Sequence, residues 1–338
     1  MAATHKSKIK SASAQHRPLP PLARLTTAKT AYVQFKSAPF PYRGRIPDSG
    51  KPFLDVTEND RHGHTSRDGV HWEDQIYHDS RVLLYIPNGF DVRRPALMVV
   101  FFHGNGALLE RDVVERQQVV AQLQRSGINA VLVVPQFAMD ALDSSAGRMW
   151  QRRAFAEFIT EAGVQLSTLY GDSRAKVALT KLPIVLVAYS GGYLPAAWSL
   201  ARGGIESRIR GVVLFDALYG QLDKFSDWFL RARKSAFCMS AFTESTQDGN
   251  EAMMEDLHDA GLRVQTSLPT SLTPGSVAFI RSAPNIKHED FVTLAWTENP
   301  LTAVLSKIPG YSQVPLAPKK SPTKKQHKLS SKSAKTKK

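Results

Sequence analysis

The stretch "PIVLVAYSGGYLPAAW", residues 183–198, joins an apolar, partly β-branched run to a helical pattern through a serine and two glycines. The apolar run is typical of a strand that is covered on both faces. A strand that turns at once into a helix must bend sharply, and Ser190 at the bend takes a strained backbone conformation. Ala188 and Gly192, two positions away on either side, relieve the crowding. We therefore expect the Ser190 hydroxyl to stand at the carboxyl edge of a sheet, where α/β ligand sites lie.

Short apolar runs alternate with longer helical patterns on both sides of this stretch. Strands are predicted at 81–87, 96–102, 129–135, 183–189, 211–216, 236–243 and 276–280, and helical patterns include 109–124 and 153–170. Strand–helix alternation implies parallel strands joined by right-handed crossovers. The pattern predicts an α/β fold with a mostly parallel central sheet and helices on both faces.

The positive charge of the chain is concentrated at its two ends. The 338 residues carry a formal net charge of +14, yet residues 1–47 and 319–338 hold nine basic residues each and no acid. Segments that can bury so little apolar surface stay disordered. We predict a basic, mostly disordered arm at 1–47, one α/β domain at 48–312 and a Lys-rich disordered tail at 313–338. The aromatic residues of 31–44 are expected to lie against the domain.

Other classes of protein are disfavoured by composition. Eighteen basic residues on flexible ends could attach to nucleic acid or another anionic surface without sequence specificity, but no nucleic-acid-binding module is recognisable. No stretch reaches the roughly 18 apolar residues of a membrane span, and the start lacks the apolar run of a secretory signal. We expect a soluble, cytoplasmic protein. Its single cysteine, Cys238, is predicted to be buried and excludes an intramolecular disulfide.

The five residues from Ala188 to Gly192 resemble the nucleophile elbow G-x-S-x-G of the α/β-hydrolase superfamily, with Ala188 in place of the first glycine. The resemblance covers about 80–312 and is to serine hydrolases of the esterase, lipase and amidase kind. It implies the α/β-hydrolase fold, Ser190 as nucleophile, and the backbone N–H of Gly191 as one donor of an oxyanion hole.

The sequence "HGNG", His103 to Gly106, directly follows the predicted strand 96–102. An HG-x sequence follows the third strand in this superfamily, where a backbone N–H completes the oxyanion hole. The resemblance therefore implies Asn105 as the second donor, or Gly106 if the loop is shifted by one residue. His103 itself is expected to hold the loop in shape.

The resemblance also implies the chain order serine, acid, histidine. Three histidines follow Ser190, namely His258, His288 and His327. His327 lies in the predicted tail, and His258 lies in a helical pattern before the last strand. His288 follows that strand at its carboxyl end and is the predicted general base.

The acid is left with two candidates. Asp216 ends the strand that follows Ser190, whereas most such hydrolases place the acid one strand later, where Glu244 stands. We favour Asp216, because a carboxylate that ends a buried strand is costly without a hydrogen-bonding partner and the His288 ring would supply one. Glu244 remains the alternative.

These residues predict a serine hydrolase that cleaves an ester, thioester or amide of a small acyl substrate through an acyl-enzyme, with no cofactor. The alternative is a non-catalytic α/β scaffold whose basic arms bind nucleic acid or an anionic surface. An apolar stripe in the region after Asp216 is expected to be core or, alternatively, a lid over an acyl pocket. The stripe consists of Leu222, Phe225, Trp228 and Phe229.

The segment "RHGHTSRDGVHWEDQIYH", residues 61–78, is rich in histidine and acid. Its histidines, His62, His64, His71 and His78, lack the regular spacing of a structural zinc site. We therefore expect no metal here. The segment is predicted to be a solvated loop or a loop that folds over the mouth of the active site.

Overall fold

The computed structural model describes residues 21–314. Within this range the strands are β1 Lys29–Gln34, β2 Val56–Glu58, β3 Arg61–Ser66, β4 Gly69–Trp72, β5 Arg81–Ile86, β6 Leu97–Phe102, β7 Ala130–Pro135, β8 Ile184–Tyr189, β9 Ile209–Phe215, β10 Phe237–Phe242, β11 Val264–Gln265 and β12 Val277–Arg281. The α-helices are α1 Glu73–Ile76, α2 Val119–Ser126, α3 Ala154–Tyr170, α4 Lys176–Thr180, α5 Tyr193–Arg202, α6 Leu222–Ala232, α7 Gln247–Asp259 and α8 Pro300–Leu305. A π-helix spans Leu109–Arg116, and short 3-10 helices include Ser190–Gly192, Glu244–Thr246 and His288–Asp290.

The central sheet has the strand order β1-β5-β7-β6-β8-β9-β10-β12-β11. β5 pairs antiparallel with both of its neighbours, and every other pair in the sheet is parallel. All seven strands predicted from apolar runs are confirmed. The predicted α/β fold, with a mostly parallel sheet, is confirmed with them.

Each face of the sheet is covered by helices. Alternate residues of a strand face opposite sides, so Met98 and Val100 of β6 pack in one core while Leu97 and Val99 pack in the other. Helices α3 to α7 cover the first face, and the π-helix, α2 and α8 cover the second. Continuously apolar strands follow from this arrangement, because both faces of each strand are buried.

Two further predictions concern side chains in these cores. Phe225, Trp228 and Phe229 of α6 are almost fully buried in the first core, so the stripe is core and not a lid. Cys238 on β10 is buried, as predicted, and burial raises the pKa of its thiol to about 12.

The second half of the predicted amino-terminal arm forms part of the fold, and its aromatic residues lie against the domain, as expected. β1 lies at the edge of the central sheet, antiparallel to β5, and the side chains of Phe35 and Phe40 are buried. β1 has alternating half-buried and exposed residues, which is the pattern of an edge strand. The α/β domain therefore starts before residue 48. The rest of the predicted arm up to residue 20, the tail from 315 and the anionic partner expected for them lie outside the described residues.

The helix predicted over 109–124 is divided into two elements. The π-helix ends with an N–H of Gln117 that donates to the carbonyl of Asp112, five residues earlier, at 2.7 Å. Gln118 then has a φ of 52°, in the left-handed region, before α2 begins. π-helices are rare and are frequently found at functional sites; here the π-helix borders the cleft described below.

Residues 56–72 form a small antiparallel sheet of order β2-β3-β4 instead of the predicted loop. Its histidines contact separate partners. His64 is buried with Nδ1 2.7 Å from the carbonyl of Phe53, and His71 lies 2.9 Å from Asp68. Within residues 21–314 no group of three or more histidine, cysteine or acidic side chains is arranged to hold a metal ion. None of the helices in that range has both the length and the apolarity to cross a membrane.

Candidate active site

The bend after β8 places Ser190 in a left-handed backbone conformation. Its φ is 52°, which is strained for a residue with a side chain and costs about 1–3 kcal/mol. The two following glycines leave no room for a Cβ. A Cβ on Gly191 would lie 1.9 Å from Oδ1 of Asn105, and a Cβ on Gly192 would lie 2.3 Å from the carbonyl of Phe102. The close packing around the bend therefore requires both glycines and fixes the position of the serine.

His288 connects Ser190 to Asp216. It begins the 3-10 helix that follows β12, at the carboxyl edge of the sheet. Its Nε2 lies 2.7 Å from Oγ of Ser190, and its Nδ1 lies 2.7 Å from Oδ2 of Asp216. In the neutral imidazole the serine hydroxyl donates to Nε2 while Nδ1–H donates to the carboxylate. The structure thus brings together three predicted residues that are far apart in the sequence.

Asp216 is fully buried at the end of β9 and is surrounded by donors. Besides His288, its carboxylate accepts hydrogen bonds from the N–H of Thr243 and from the hydroxyls of Thr243, Ser245 and Thr246, at 2.5–3.1 Å. Burial alone would raise the pKa of Asp216, but the hydrogen bonds from His288, Thr243 and Thr246 outweigh it and lower the pKa to about 2. The carboxylate is therefore ionised at neutral pH.

The alternative acid, Glu244, has an exposed side chain in the turn that follows β10. Among the described residues, the ring nitrogens of His288 contact Ser190, Asp216 and Tyr219. The turn that contains Glu244 contributes to the site through its neighbours, since the hydroxyls of Thr243, Ser245 and Thr246 donate to Asp216. The structure places Asp216, and not Glu244, against the histidine.

Two tyrosines flank the imidazole. The ring of Tyr189 stacks on His288 with centroids 5.1 Å apart, and its hydroxyl donates to the His288 carbonyl at 2.8 Å. Tyr219 meets the ring edge-on at 6.1 Å, and its hydroxyl lies 3.4 Å from Nδ1. Both contacts restrict the orientation of the imidazole. Burial raises the pKa of both phenols, so they are protonated at neutral pH.

The loop after β6 passes directly beside the serine. A Cβ on Gly104 would lie 2.7 Å from Cβ of Ser190, so only glycine permits this approach. The N–H of Gly106 donates to the carbonyl of Ala141 at 2.8 Å and has no capacity left for an oxyanion. The prediction of Gly106 as a donor is therefore wrong.

Asn105 and Gly191 remain as predicted oxyanion donors. The N–H of Gly191 lies in the first turn of a 3-10 helix that continues into α5, where backbone N–H groups have no acceptor within the helix. Oδ1 of Asn105 packs close to Gly191 and accepts a hydrogen bond from the hydroxyl of Ser144 at 3.0 Å. This bond fixes the Asn105 side chain at the wall of the cleft.

His103 has the environment expected of a residue that shapes the loop. It is buried, its Nδ1 lies 2.8 Å from the carbonyl of Gly104, and its Nε2 accepts from the N–H of Phe137 at 2.9 Å. Burial lowers the pKa of His103 to about 4, so the ring is neutral at pH 7. With Nε2 accepting, the proton lies on Nδ1 and is donated to Gly104.

A cleft of about 580 Å³ opens above Ser190, a volume typical of small-molecule sites. It is lined by Arg67, Asn105, Arg111, Asp112, Arg116, Leu142, Ser144, Tyr189, Ser190, Gly191, Tyr193, Tyr219, His288 and Glu289. Arg67 lies in the turn between β3 and β4, so the small sheet reaches the mouth of the cleft.

Several residues that line the cleft or hold Asp216 were not predicted from the sequence. Thr243, Ser245 and Thr246 carry a signal that could have found them: hydroxyl residues cluster where the strand 236–243 ends, beside the strand that ends in Asp216. Tyr189 directly precedes the serine but carries no pattern that indicates contact with a distant histidine. The arginines of the cleft lie on elements that the sequence analysis described as a plain helix and a loop.

The order of serine, acid and histidine along the chain, and the strand–turn–helix at the serine, are those of the α/β-hydrolase fold. No protein-family model and no curated protein matches the sequence. Solved structures to which the chain is similar include a feruloyl esterase module from Clostridium thermocellum, at 14% identity over 79% of this chain and 95% of that chain, with a TM-score of 0.45. An S-formylglutathione hydrolase from Agrobacterium tumefaciens matches at 8% identity over 75% and 97% with a TM-score of 0.43. An esterase from Pseudomonas putida matches at 14% identity over 69% and 78% with a TM-score of 0.40.

Proposed function

We propose that this protein is a serine hydrolase that cleaves an ester, thioester or amide bond of a small acyl substrate. The observation that carries the proposal is the continuous chain of hydrogen bonds from Ser190 through His288 to Asp216, with both links at 2.7 Å. A nucleophile, a base in contact with it and an acid that orients the base form the arrangement that activates a serine hydroxyl.

In this mechanism Oγ of Ser190 attacks the substrate carbonyl as Nε2 of His288 takes its proton. The ionised Asp216 keeps the other imidazole proton on Nδ1 and stabilises the imidazolium that forms. His288 then donates the proton to the leaving group, which leaves an acyl-enzyme. Water activated by the same base hydrolyses that intermediate and restores Ser190.

The tetrahedral intermediate requires donors for its oxyanion, and we assign this role to the backbone N–H groups of Gly191 and Asn105. Gly104 supports the assignment, because its lack of a side chain lets the loop approach Ser190 closely. Removing one comparable donor in other enzymes costs about 3–4 kcal/mol of transition-state stabilisation. The hydroxyl of Ser144 donates to Oδ1 of Asn105 and holds that side chain in place.

Labelling with a fluorophosphonate probe, followed by mass spectrometry of the modified peptide, tests the proposal. The wild-type protein should carry the adduct on Ser190, and Ser190→Ala should carry none. Ser144→Ala removes the other serine hydroxyl that lines the cleft. Because Ser144 only supports the Asn105 side chain, the adduct should still form on Ser190, at a lower rate. A folded wild-type protein that neither reacts with the probe nor hydrolyses 4-nitrophenyl esters would refute the proposal.

A further inference from the structure

Three arginines line the cleft above Ser190, and two of them come from the π-helix. Arg111 and Arg116 are five residues apart, a spacing that the wider turn of a π-helix brings to the same face. Both are held by Asp112, whose carboxylate accepts from Nε of Arg111 and from Nε of Arg116 at 2.9 Å each. Arg111 also contacts Asp140 at 2.8 Å. Their charges are therefore compensated within the protein.

Arg67 differs from these two arginines. It lies at the tip of the β3–β4 hairpin, its side chain is exposed, and it makes no ion pair within residues 21–314. Asp68, the acidic residue beside it in the sequence, is bound instead by Nε2 of His71 at 2.9 Å. Glu289, also at the cleft, lies 3.8 Å from Lys287. Arg67 thus brings an uncompensated positive charge to the cleft.

The surroundings of Arg67 connect it to the reacting groups. The rings of Tyr193 and Tyr219 lie 6.0 Å apart, and Tyr219 lies beside His288. Burial raises the pKa of both tyrosines, and the positive charge of Arg67 opposes that rise. Arg67, Tyr193 and Tyr219 line the same cleft as Ser190.

The hairpin that carries Arg67 has a fixed base. His64 of β3 packs on Phe53 with ring centroids 4.4 Å apart and bonds its carbonyl. Arg61, at the start of β3, pairs with Asp74 at 2.7 Å and lies over the Trp72 ring. The strands therefore hold the tip of the hairpin at the cleft even though the Arg67 side chain itself is exposed.

We propose that Arg67 binds an anionic oxygen group of the substrate, a carboxylate or a phosphate-type group, so that the preferred substrates are small esters that carry such a group. The inference rests on the proposed hydrolase function. The planar guanidinium matches both kinds of anion with two parallel hydrogen bonds. The cleft suits such substrates, because three tyrosines and one leucine provide only a limited apolar lining.

Matched pairs of esters test the inference on the full-length protein. Mono-4-nitrophenyl glutarate and 4-nitrophenyl valerate have acyl chains of equal length, with and without a carboxylate. 4-Acetoxybenzoate and its methyl ester place the anion on the leaving group instead. The 4-nitrophenyl ester of 4-phosphonobutyrate distinguishes a phosphonate from a carboxylate. Rates are corrected for hydrolysis without enzyme.

We expect kcat/KM of the wild-type protein to be at least about tenfold higher for the anionic member of one pair. Arg67→Gln should lower that value about tenfold while the neutral ester changes less than twofold, and Arg67→Lys should restore part of the loss. The preference should weaken in high salt, because an exposed charge is screened. Arg94→Gln is the matched control, since Arg94 is exposed, lies in the turn before β6 and does not line the cleft.

The outcomes separate this inference from the proposed function. Hydrolysis of the neutral esters at equal or higher efficiency in both pairs would overturn the role of Arg67 and leave the hydrolase assignment standing. An equal loss on neutral and anionic esters in Arg67→Gln would also overturn it. If no ester is turned over and the fluorophosphonate adduct is absent from Ser190, the proposed function itself fails.

Discussion

Two aspartates, Asp216 and Asp112, are buried beside the same cleft, and the protein stabilises their charges in different ways. Apart from His288, the donors to Asp216 are an N–H and three hydroxyls, all uncharged. Asp112 accepts from the N–H of Leu108 and from two guanidinium groups. Burial would raise the pKa of each carboxylate, but hydrogen bonds lower both pKa values. For Asp112 these hydrogen bonds come from Leu108, Arg116 and Arg111.

The difference shows how one cleft can use the same side chain for two purposes. Neutral donors hold a carboxylate in place without cancelling its charge, so the field of Asp216 remains available to the imidazole. The two arginines cancel the charge of Asp112, which then serves to connect parts of the structure. Arg116 extends this connection, because its Nη1 donates to the carbonyl of Glu289, next to His288, at 2.8 Å.

The largest effect is expected from Asp216→Asn. The asparagine keeps the size of the side chain but cannot hold the Nδ1 proton of His288 as a carboxylate does, so kcat should fall by a factor on the order of 10⁴. Turnover of a 4-nitrophenyl ester measures the loss, and circular dichroism checks the fold. Glu244→Gln, at the alternative acid, should stay within about twofold. The opposite ranking would assign the acid to Glu244.

Acidification should lower the free energy of unfolding in part through Asp216. The pKa of Asp216 is about 2 in the folded protein against an ordinary value of 3.8. Because the folded value is depressed, its contribution is fully present above about pH 4 and is lost as the pH falls towards 2, amounting to roughly 2 kcal/mol. The free energy of unfolding, measured with urea at pH 5 and pH 2.5, should fall less in Asp216→Asn than in the wild type. An identical fall in both proteins would contradict this account.

Asp112→Asn should mainly affect stability. It leaves two arginines with weaker acceptors, and because both guanidinium groups are partly exposed we expect a loss of only about 1–3 kcal/mol. Turnover should fall a few-fold at most, through the contact of Arg116 with the His288 loop. Asp223→Asn, which changes an exposed carboxylate paired with Lys224, is the control and should change stability by less than about 0.5 kcal/mol. A loss of turnover as large as that of Asp216→Asn would remove the distinction between the two aspartates.

The smallest effect is expected at Tyr189, which contacts the His288 carbonyl next to the Glu289 carbonyl that Arg116 binds. Tyr189→Phe keeps the ring that stacks on His288 but removes the hydroxyl that donates to its carbonyl, a bond worth about 1 kcal/mol. We predict a several-fold lower kcat with KM nearly unchanged, from steady-state kinetics. Tyr32→Phe, at a half-exposed residue of β1, should leave both constants unchanged. A change confined to KM would show that Tyr189 contacts substrate instead of positioning the imidazole.

Much of the central sheet could be predicted, because strands buried on both faces consist of uninterrupted runs of apolar residues. The strands that were not predicted lack such runs. β1, "KTAYVQ", has only three consecutive apolar residues beside a basic, proline-rich segment, and β3, "RHGHTS", contains little apolar surface at all. The break at Gln118 was also invisible, since nothing in its residue type indicates a left-handed backbone.

The residues of the candidate site divide in the same way. Ser190, Asp216 and His288 could be found because each lies where a strand ends and because their order along the chain is characteristic. Gly106 could not be excluded, because the fate of its N–H depends on a carbonyl 35 residues later. Arg67 could not be found, because the β3–β4 hairpin places it at the cleft and the local sequence pattern does not indicate this tertiary arrangement.

The position of β1 has a practical consequence for any shortened version of the chain. With residues 29–34 removed, β5 would become the outermost strand, with unpaired backbone groups and the almost entirely buried side chains of Val82 to Ile86. Such an edge invites pairing with the same edge of another molecule. Truncation within this range should therefore produce aggregates, whereas removal of residues 1–20 leaves the protective strand in place.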